Sequence, residues 1–130
     1  MGDKRRCLKG IREDDKEKKI ETVFGKIIRG ELPAKRIFEN DRLLVIEDIQ
    51  PLAPIHLLII PKKEYRSFQE VPVSDYSLML DVIQVSQMLA ERFEIAENYR
   101  LVTNNGAKAG QSVFHLHFHL IGGKELGSFA

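Results

Sequence analysis

At 130 residues, with 43% hydrophobic side chains, the chain fits a single domain with its own core. Its 20 basic and 19 acidic side chains leave a net charge of +1, which argues against a broad footprint for nucleic acid and favours a small-molecule partner. The longest apolar stretch, residues 55–61, is too short to cross a bilayer, the N-terminal residues lack the apolar run of a secretory signal, and the single Cys7 cannot close an internal disulfide, so a soluble cytoplasmic protein without a membrane partner is expected.

Residues 1–20 carry eight basic and five acidic side chains. Leu8, Ile11 and Ile20 cannot repay the ordering entropy of such a segment, which reads as a disordered, charged extension to a domain spanning 21–130. Thr22 is placed to cap a short helix whose Phe24, Ile27 and Ile28 share a face and which Gly30 can end. After Pro33 come three strand candidates, 35–39, 43–48 and 56–60, with Asn40 and Asp41 turning the chain between the first two and Pro51 and Pro54 bending it before the third. Ser74 is a cap candidate for a longer helix in which Leu78, Val82, Val85 and Leu89 interleave with Met79, Ile83, Ala90 and Phe93. Residues 100–104 and 112–121 read as the last two strands, joined by a loop made pliable by Gly106 and Gly110. The order predicts an α+β fold with a five-stranded, mainly antiparallel sheet and two helices.

The chemistry is concentrated in the last strand candidate. Side chains alternate along a strand, so His115, His117 and His119 share one face while Phe114, Leu116, Phe118 and Leu120 share the other. Three of the chain's four histidines on alternate positions exceed what core filling requires. One reading is a metal site, because imidazole ligates zinc; but at roughly 3.3 Å per residue His115 and His119 stand about 13 Å apart, and only two of the three could join His56 around one ion. The other reading is phosphate chemistry without a metal or other cofactor: a neutral imidazole attacks phosphorus while a protonated neighbour serves the leaving group, and crowding separates their proton affinities. Gly110 lets backbone N–H groups approach an anion in the loop before the histidines, and Ser112 can donate without adding charge.

His115-Leu116-His117-Phe118-His119-Leu120-Ile121 resembles the HIT (histidine triad) family pattern, His-x-His-x-His followed by two apolar residues. Gly110-Gln111-Ser112-Val113 before it and Gly122-Gly123 after it resemble the Hint branch, nucleotide-binding proteins that act as purine nucleoside phosphoramidases. The likeness continues through Phe24-Gly25-Lys26-Ile27-Ile28, Asp48-Ile49, Pro54-Ile55-His56 and Ile60-Pro61-Lys62-Lys63, and covers about residues 21–123.

That resemblance implies a homodimer with one continuous ten-stranded sheet and two sites, acting on AMP- or GMP-type phosphoramidates. It makes His117 the nucleophile, His119 the residue serving the phosphate and leaving group, and the His115 carbonyl the guide of the nucleophilic ring. It gives His56 a supporting role and sets Ser112 beside the leaving nitrogen. Asn104, Gly110 and the amides around Gln111 and Val113 meet the phosphate, Asp48 accepts from the ribose hydroxyls, and Phe24, Ile27, Ile46 and Ile49 wall the base. The chain departs from that pattern at Glu47, where a histidine is usual, at Ile46, where an aromatic is common, and in a C-terminal tail without Trp or Pro. Three other readings are a dinucleoside polyphosphate hydrolase, a nucleotidyltransferase and a nucleotide-binding interaction module. The first usually has proline after the triad, the second glutamine in place of the third histidine, and the third needs no intact triad.

Overall fold

The computed structural model describes residues 21–129, so the extension assigned to 1–20 lies outside the described residues. Helix α1 (Val23–Ile28) starts at Thr22, whose hydroxyl accepts the Gly25 N–H at 3.0 Å, and ends before Gly30 at φ +80°. Strands β1 (Arg36–Glu39), β2 (Leu43–Glu47) and β3 (Ile55–Pro61) follow, then helix α2 (Leu78–Arg92), β4 (Tyr99–Val102) and β5 (Phe118–Gly122). The strands form one antiparallel sheet in the order β1-β2-β3-β5-β4. The α+β architecture read from the sequence is therefore the architecture present.

The two central strands are buried on both faces, and the pleat sends alternate side chains to different layers. Leu43, Val45, Leu57, Ile59, Leu116, Phe118 and Leu120 pack with Leu78, Val82, Val85 and Leu89 of α2. On the opposite face Leu44, Ile46, Leu58 and Ile60 pack with Phe24 and Ile27 of α1. The first layer is apolar apart from the buried Ser86 of α2; the second carries the histidines. Among the described residues no helix is long and apolar enough to cross a membrane.

Four expectations need correction. The final strand begins at Phe118, not at Ser112, because the chain across 112–117 spends its backbone groups on loop and side-chain partners outside the ladder. Phe114 accordingly stays 39% exposed, with the Arg66 guanidinium over its ring, and does not enter the α2 layer. The long helix begins at Leu78; Ser74 belongs to a separate 3-10 turn after Pro72, and Ile83, expected on the apolar face, is half exposed. Leu120 sits fully buried at the centre of the α2 layer, so Leu120→Ala is expected to lower stability by about 2–5 kcal/mol. Urea unfolding should show a reduced midpoint with an unchanged slope.

Candidate active site

Three of the four histidines meet on the α1 face of the sheet, brought there by two strands and the bend before one of them. His119 lies in β5 opposite Leu58 of β3 and Val102 of β4; His56 lies in β3 opposite Ile121. The His119 ring centroid is 5.1 Å from that of His117 and 5.2 Å from that of His56. Phe24 of α1 closes the back of the group, its ring edge-on to His117 at 4.9 Å.

Hydrogen bonds to groups of fixed polarity determine where the ring protons sit. The His117 Nδ1 lies 2.7 Å from the His115 carbonyl, which only accepts. His117 therefore carries its proton on Nδ1, and in the neutral ring Nε2 keeps a lone pair. The His56 Nδ1 receives the Leu52 N–H at 3.0 Å, so neutral His56 is protonated on Nε2. That nitrogen lies 2.9 Å from the His119 Nδ1 and 3.3 Å from the Asp48 Oδ2. When His119 accepts there, its own proton is on Nε2.

His115 has a different setting. Its ring is fully buried, its Nε2 donates to the Pro61 carbonyl at 2.7 Å, and its Nδ1 is 3.4 Å from the Thr22 hydroxyl. It ties the end of β3 and the start of α1 to the loop before β5.

Burial holds His117, His56 and His119 below the usual histidine range, since a charged ring loses hydration there. For His117 the His115 carbonyl and Asp48 act in the opposite direction, and for His56 Asp48 does. His119 is pushed down to about 4 by burial, then by His117 and His56, with Asp48 opposing.

Asp48, His56 and His119 bring donor atoms within 4.8 Å of one another, so the carboxylate assigned by resemblance to the ribose also stands beside two of the histidines. A metal-bound imidazole keeps its proton on the other nitrogen and donates it. At His56 that other nitrogen receives the Leu52 N–H, so the proton stands on Nε2, where a metal would need the lone pair. The donor set is gathered, but its hydrogen bonding suits proton transfer.

The remaining residues singled out by sequence are placed unevenly. Ile46 and Ile27 are buried beside Phe24, with Val113 partly buried against them. Ile49 is 93% exposed after β2, and Glu47 is exposed with its carboxylate 3.5 Å from Lys35. Asn104 lies against Gly110, whose φ is +104° and whose missing Cβ would stand 3.5 Å from the Asn104 amide nitrogen. Ser112 is exposed just ahead of the histidines. Gln111 is buried, and its side chain is occupied by the Arg66 and Val113 carbonyls and the Gly106 N–H. Its side chain braces the loop. The sequence did not single out Leu52 or Thr103, whose hydroxyl donates to the His117 carbonyl at 2.7 Å. A backbone N–H and a lone threonine carry no pattern that could have found them.

Residues 29–126 match the HIT domain. The chain belongs to the HIT family. A HIT-like protein of Chlamydia pneumoniae is 50% identical over 109 residues, covering 84% of this chain and 99% of that one. The HIT family hydrolase of Clostridium thermocellum superposes with a TM-score of 0.80 at 44% identity, covering 84% and 96% of the two chains. A histidine triad nucleotide-binding protein from Candida albicans gives a TM-score of 0.71 at 34% identity, with 85% of each chain covered. In this HIT domain the triad's three histidines are not equivalent: the first braces the fold, and the third lies between the second and His56.

The neutral rings tie stability to pH. Folded His119 takes a proton only near pH 4, whereas the unfolded chain does so near 6.5, and His56 and His117 are displaced in the same direction. Between those limits the unfolded state binds more protons, so stability rises with pH, is complete above about 6.5 and falls toward about 4. Urea titrations at about pH 7.5 and about pH 4.5 are expected to show this loss, and His119→Asn should reduce it.

Proposed function

We propose that this HIT protein hydrolyses purine nucleoside 5′-phosphoramidates, of the AMP or GMP type, through a nucleotide carried on His117, as in the Hint branch. The observation that carries the reading is the pairing of protons: His117 offers an unprotonated Nε2 beside a His119 whose Nε2 is the proton-bearing nitrogen.

In the first step the His117 Nε2 lone pair attacks phosphorus and the P–N bond breaks. Its electron pair goes to the leaving nitrogen, which takes the Nε2 proton of a His119 protonated beside the anionic phosphate. The His117 ring, now bonded to phosphorus and still protonated on Nδ1, is cationic, and the His115 carbonyl faces that charge. In the second step water attacks phosphorus, its proton passes to the His119 Nε2, and the His117–phosphorus bond returns its pair to Nε2. Each proton given in the first step is recovered in the second, so no metal or other cofactor is needed.

Asn104, Gly110 and the amides of Gln111 and Val113 border the phosphate side, with Ser112 at the leaving group. Phe24, Ile27 and Ile46 provide an apolar wall for a purine, and exposed Ile49 can fold over its other side. Asp48 stands at the ribose edge, with Glu47 beyond it. The exposed edge of β4 is where a second copy would extend the sheet to ten strands. Hydrolase activity in the Clostridium relative and nucleotide binding in the Candida relative, as their names state, agree with this reading.

His117→Ala is expected to abolish turnover of a fluorogenic adenosine phosphoramidate while leaving nucleotide affinity within about tenfold, or 1.4 kcal/mol. Retention of more than about a hundredth of wild-type kcat/KM would refute the nucleophile. Exhaustive chelation should leave the wild-type rate unchanged; loss on chelation with recovery on adding zinc would instead establish a metal-dependent site.

A further inference from the structure

We infer that Asp48, beyond any hold on a sugar, is a positioning residue for the acid, and that through His56 it controls how His119 takes and gives its proton. The kinetic part of this inference rests on the phosphoramidate reading; the ring-titration part does not.

Asp48 follows β2, and its Oδ1 accepts the Gln50 N–H at 2.8 Å, a turn that fixes the carboxylate with Oδ2 3.3 Å from the His56 Nε2. His56 is buried, and its Nδ1 is held as an acceptor by the Leu52 N–H. Neutral His56 therefore has one ring proton to give and two acceptors for it, the His119 Nδ1 and the Asp48 Oδ2. With His119 neutral, the proton bridges the two rings. Once His119 takes a second proton on Nδ1, two N–H groups would face one another across 2.9 Å. Turning the His56 Nε2–H onto Asp48 removes that conflict.

The carboxylate then holds the His56 proton aside for the whole cycle. Protonated His119 gives its Nε2 proton to the leaving amine as the P–N bond breaks, keeps the proton on Nδ1, and is left with a lone pair on Nε2. That lone pair takes the proton of the attacking water, restoring the starting charge. The titratable groups acting on His119 among the described residues are His117 before β5, His56 in β3 and Asp48 after β2; only Asp48 favours the protonated ring. Asp48 acts in the same direction on His56 and His117. One carboxylate thus opposes the effect of burial at all three rings.

A substrate without sugar hydroxyls separates this role from sugar recognition. Wild type and Asp48→Asn, which keeps an acceptor for Gln50, are compared on a 2′,3′-dideoxyadenosine 5′-phosphoramidate of an alkylamine and on the matching p-nitrophenyl phosphodiester, whose leaving group departs without a proton. Asp48→Asn is expected to lower kcat for the amine substrate about tenfold or more and to leave the p-nitrophenyl rate within about twofold. In His56→Gln protein the same change should have little further effect. No selective loss on the amine substrate would overturn the inference and leave Asp48 with the sugar alone.

In the substrate-free protein, ring nitrogen-15 titration should show the His119 midpoint falling by about one pH unit in Asp48→Asn. An unchanged midpoint overturns the link whatever the enzyme hydrolyses. If wild type turns over neither these substrates nor the matching ribose phosphoramidate, the phosphoramidate reading fails while this titration still decides the contact. Asp48→Ser supplies a second neutral variant if Asp48→Asn does not fold.

Discussion

Between Gln111 and His117 the chain leaves the sheet it is about to join, and the site depends on that departure. In a regular antiparallel ladder a carbonyl is directed sideways at a neighbouring strand. Outside the ladder the His115 carbonyl is available to the His117 ring, at 2.7 Å. The other polar groups of the segment find partners of equally fixed polarity: the Leu116 N–H on the Tyr65 carbonyl, the His117 carbonyl on the Thr103 hydroxyl, the His115 ring on the Pro61 carbonyl. No regular strand would free these groups, yet their backbone must be satisfied as fully as a strand's. Gln111 helps make this possible, its buried amide tying Gly106 and Val113 of the loop to the Arg66 carbonyl.

The sheet supplies what that segment lacks, a rigid reference. β3 and β5 are paired from Ile55–Gly122 to Ile59–Phe118, which fixes His56 and His119 relative to one another within the most buried part of the sheet. The α2 layer is packed from apolar side chains with Ser86 as the helix's one buried polar residue, so the α1 face can spend its depth on histidines. Burial is also the largest cause of the low proton affinity of His56, His117 and His119. The same packing positions the rings and keeps them neutral.

Much of this could be read from the sequence, and the failures have physical causes. Alternation across 112–121 assigns Phe114, Leu116, Phe118 and Leu120 to the core and the histidines to the opposite face; the last three of the four enter the α2 layer and Phe114 does not, while His117 and His119 lie on the α1 face. Alternation reports side-chain direction; it does not report whether the intervening N–H and C=O groups pair with a strand, and so it predicts a strand that starts six residues too early. Ser74 had the composition of a helix cap, but Pro72 and a 3-10 turn delay the helix to Leu78. Ile83 fitted the apolar periodicity of α2 yet points outward, since one sheet face covers only part of the helix. Asp48 and His56 meet because the intervening chain bends back through Pro51 and Pro54; the prolines mark the bend, but no spacing rule says which side chains it brings together. The Leu52 N–H, which sets the His56 tautomer, was beyond reach for the simpler reason that every residue except proline has one.

One carboxylate acts on three imidazoles, His56 and His117 buried and His119 partly so, and the loss of hydration outweighs it at each, so the rings are neutral at neutral pH. Neutrality suits His117, which needs its Nε2 lone pair, but not His119, which must carry an extra proton to serve as the acid in the proposed reaction. Moving Asp48 closer would raise the proton affinity of both rings and weaken the nucleophile as it strengthened the acid. An anionic phosphate differs from a fixed carboxylate because its charge arrives only with the substrate, beside the Nε2 face of His119, and the His117 Nε2 that it also approaches is the atom about to bond phosphorus. In this account the protein leaves the site short of negative charge, and the substrate, by supplying it, creates the acid only when there is a bond to break.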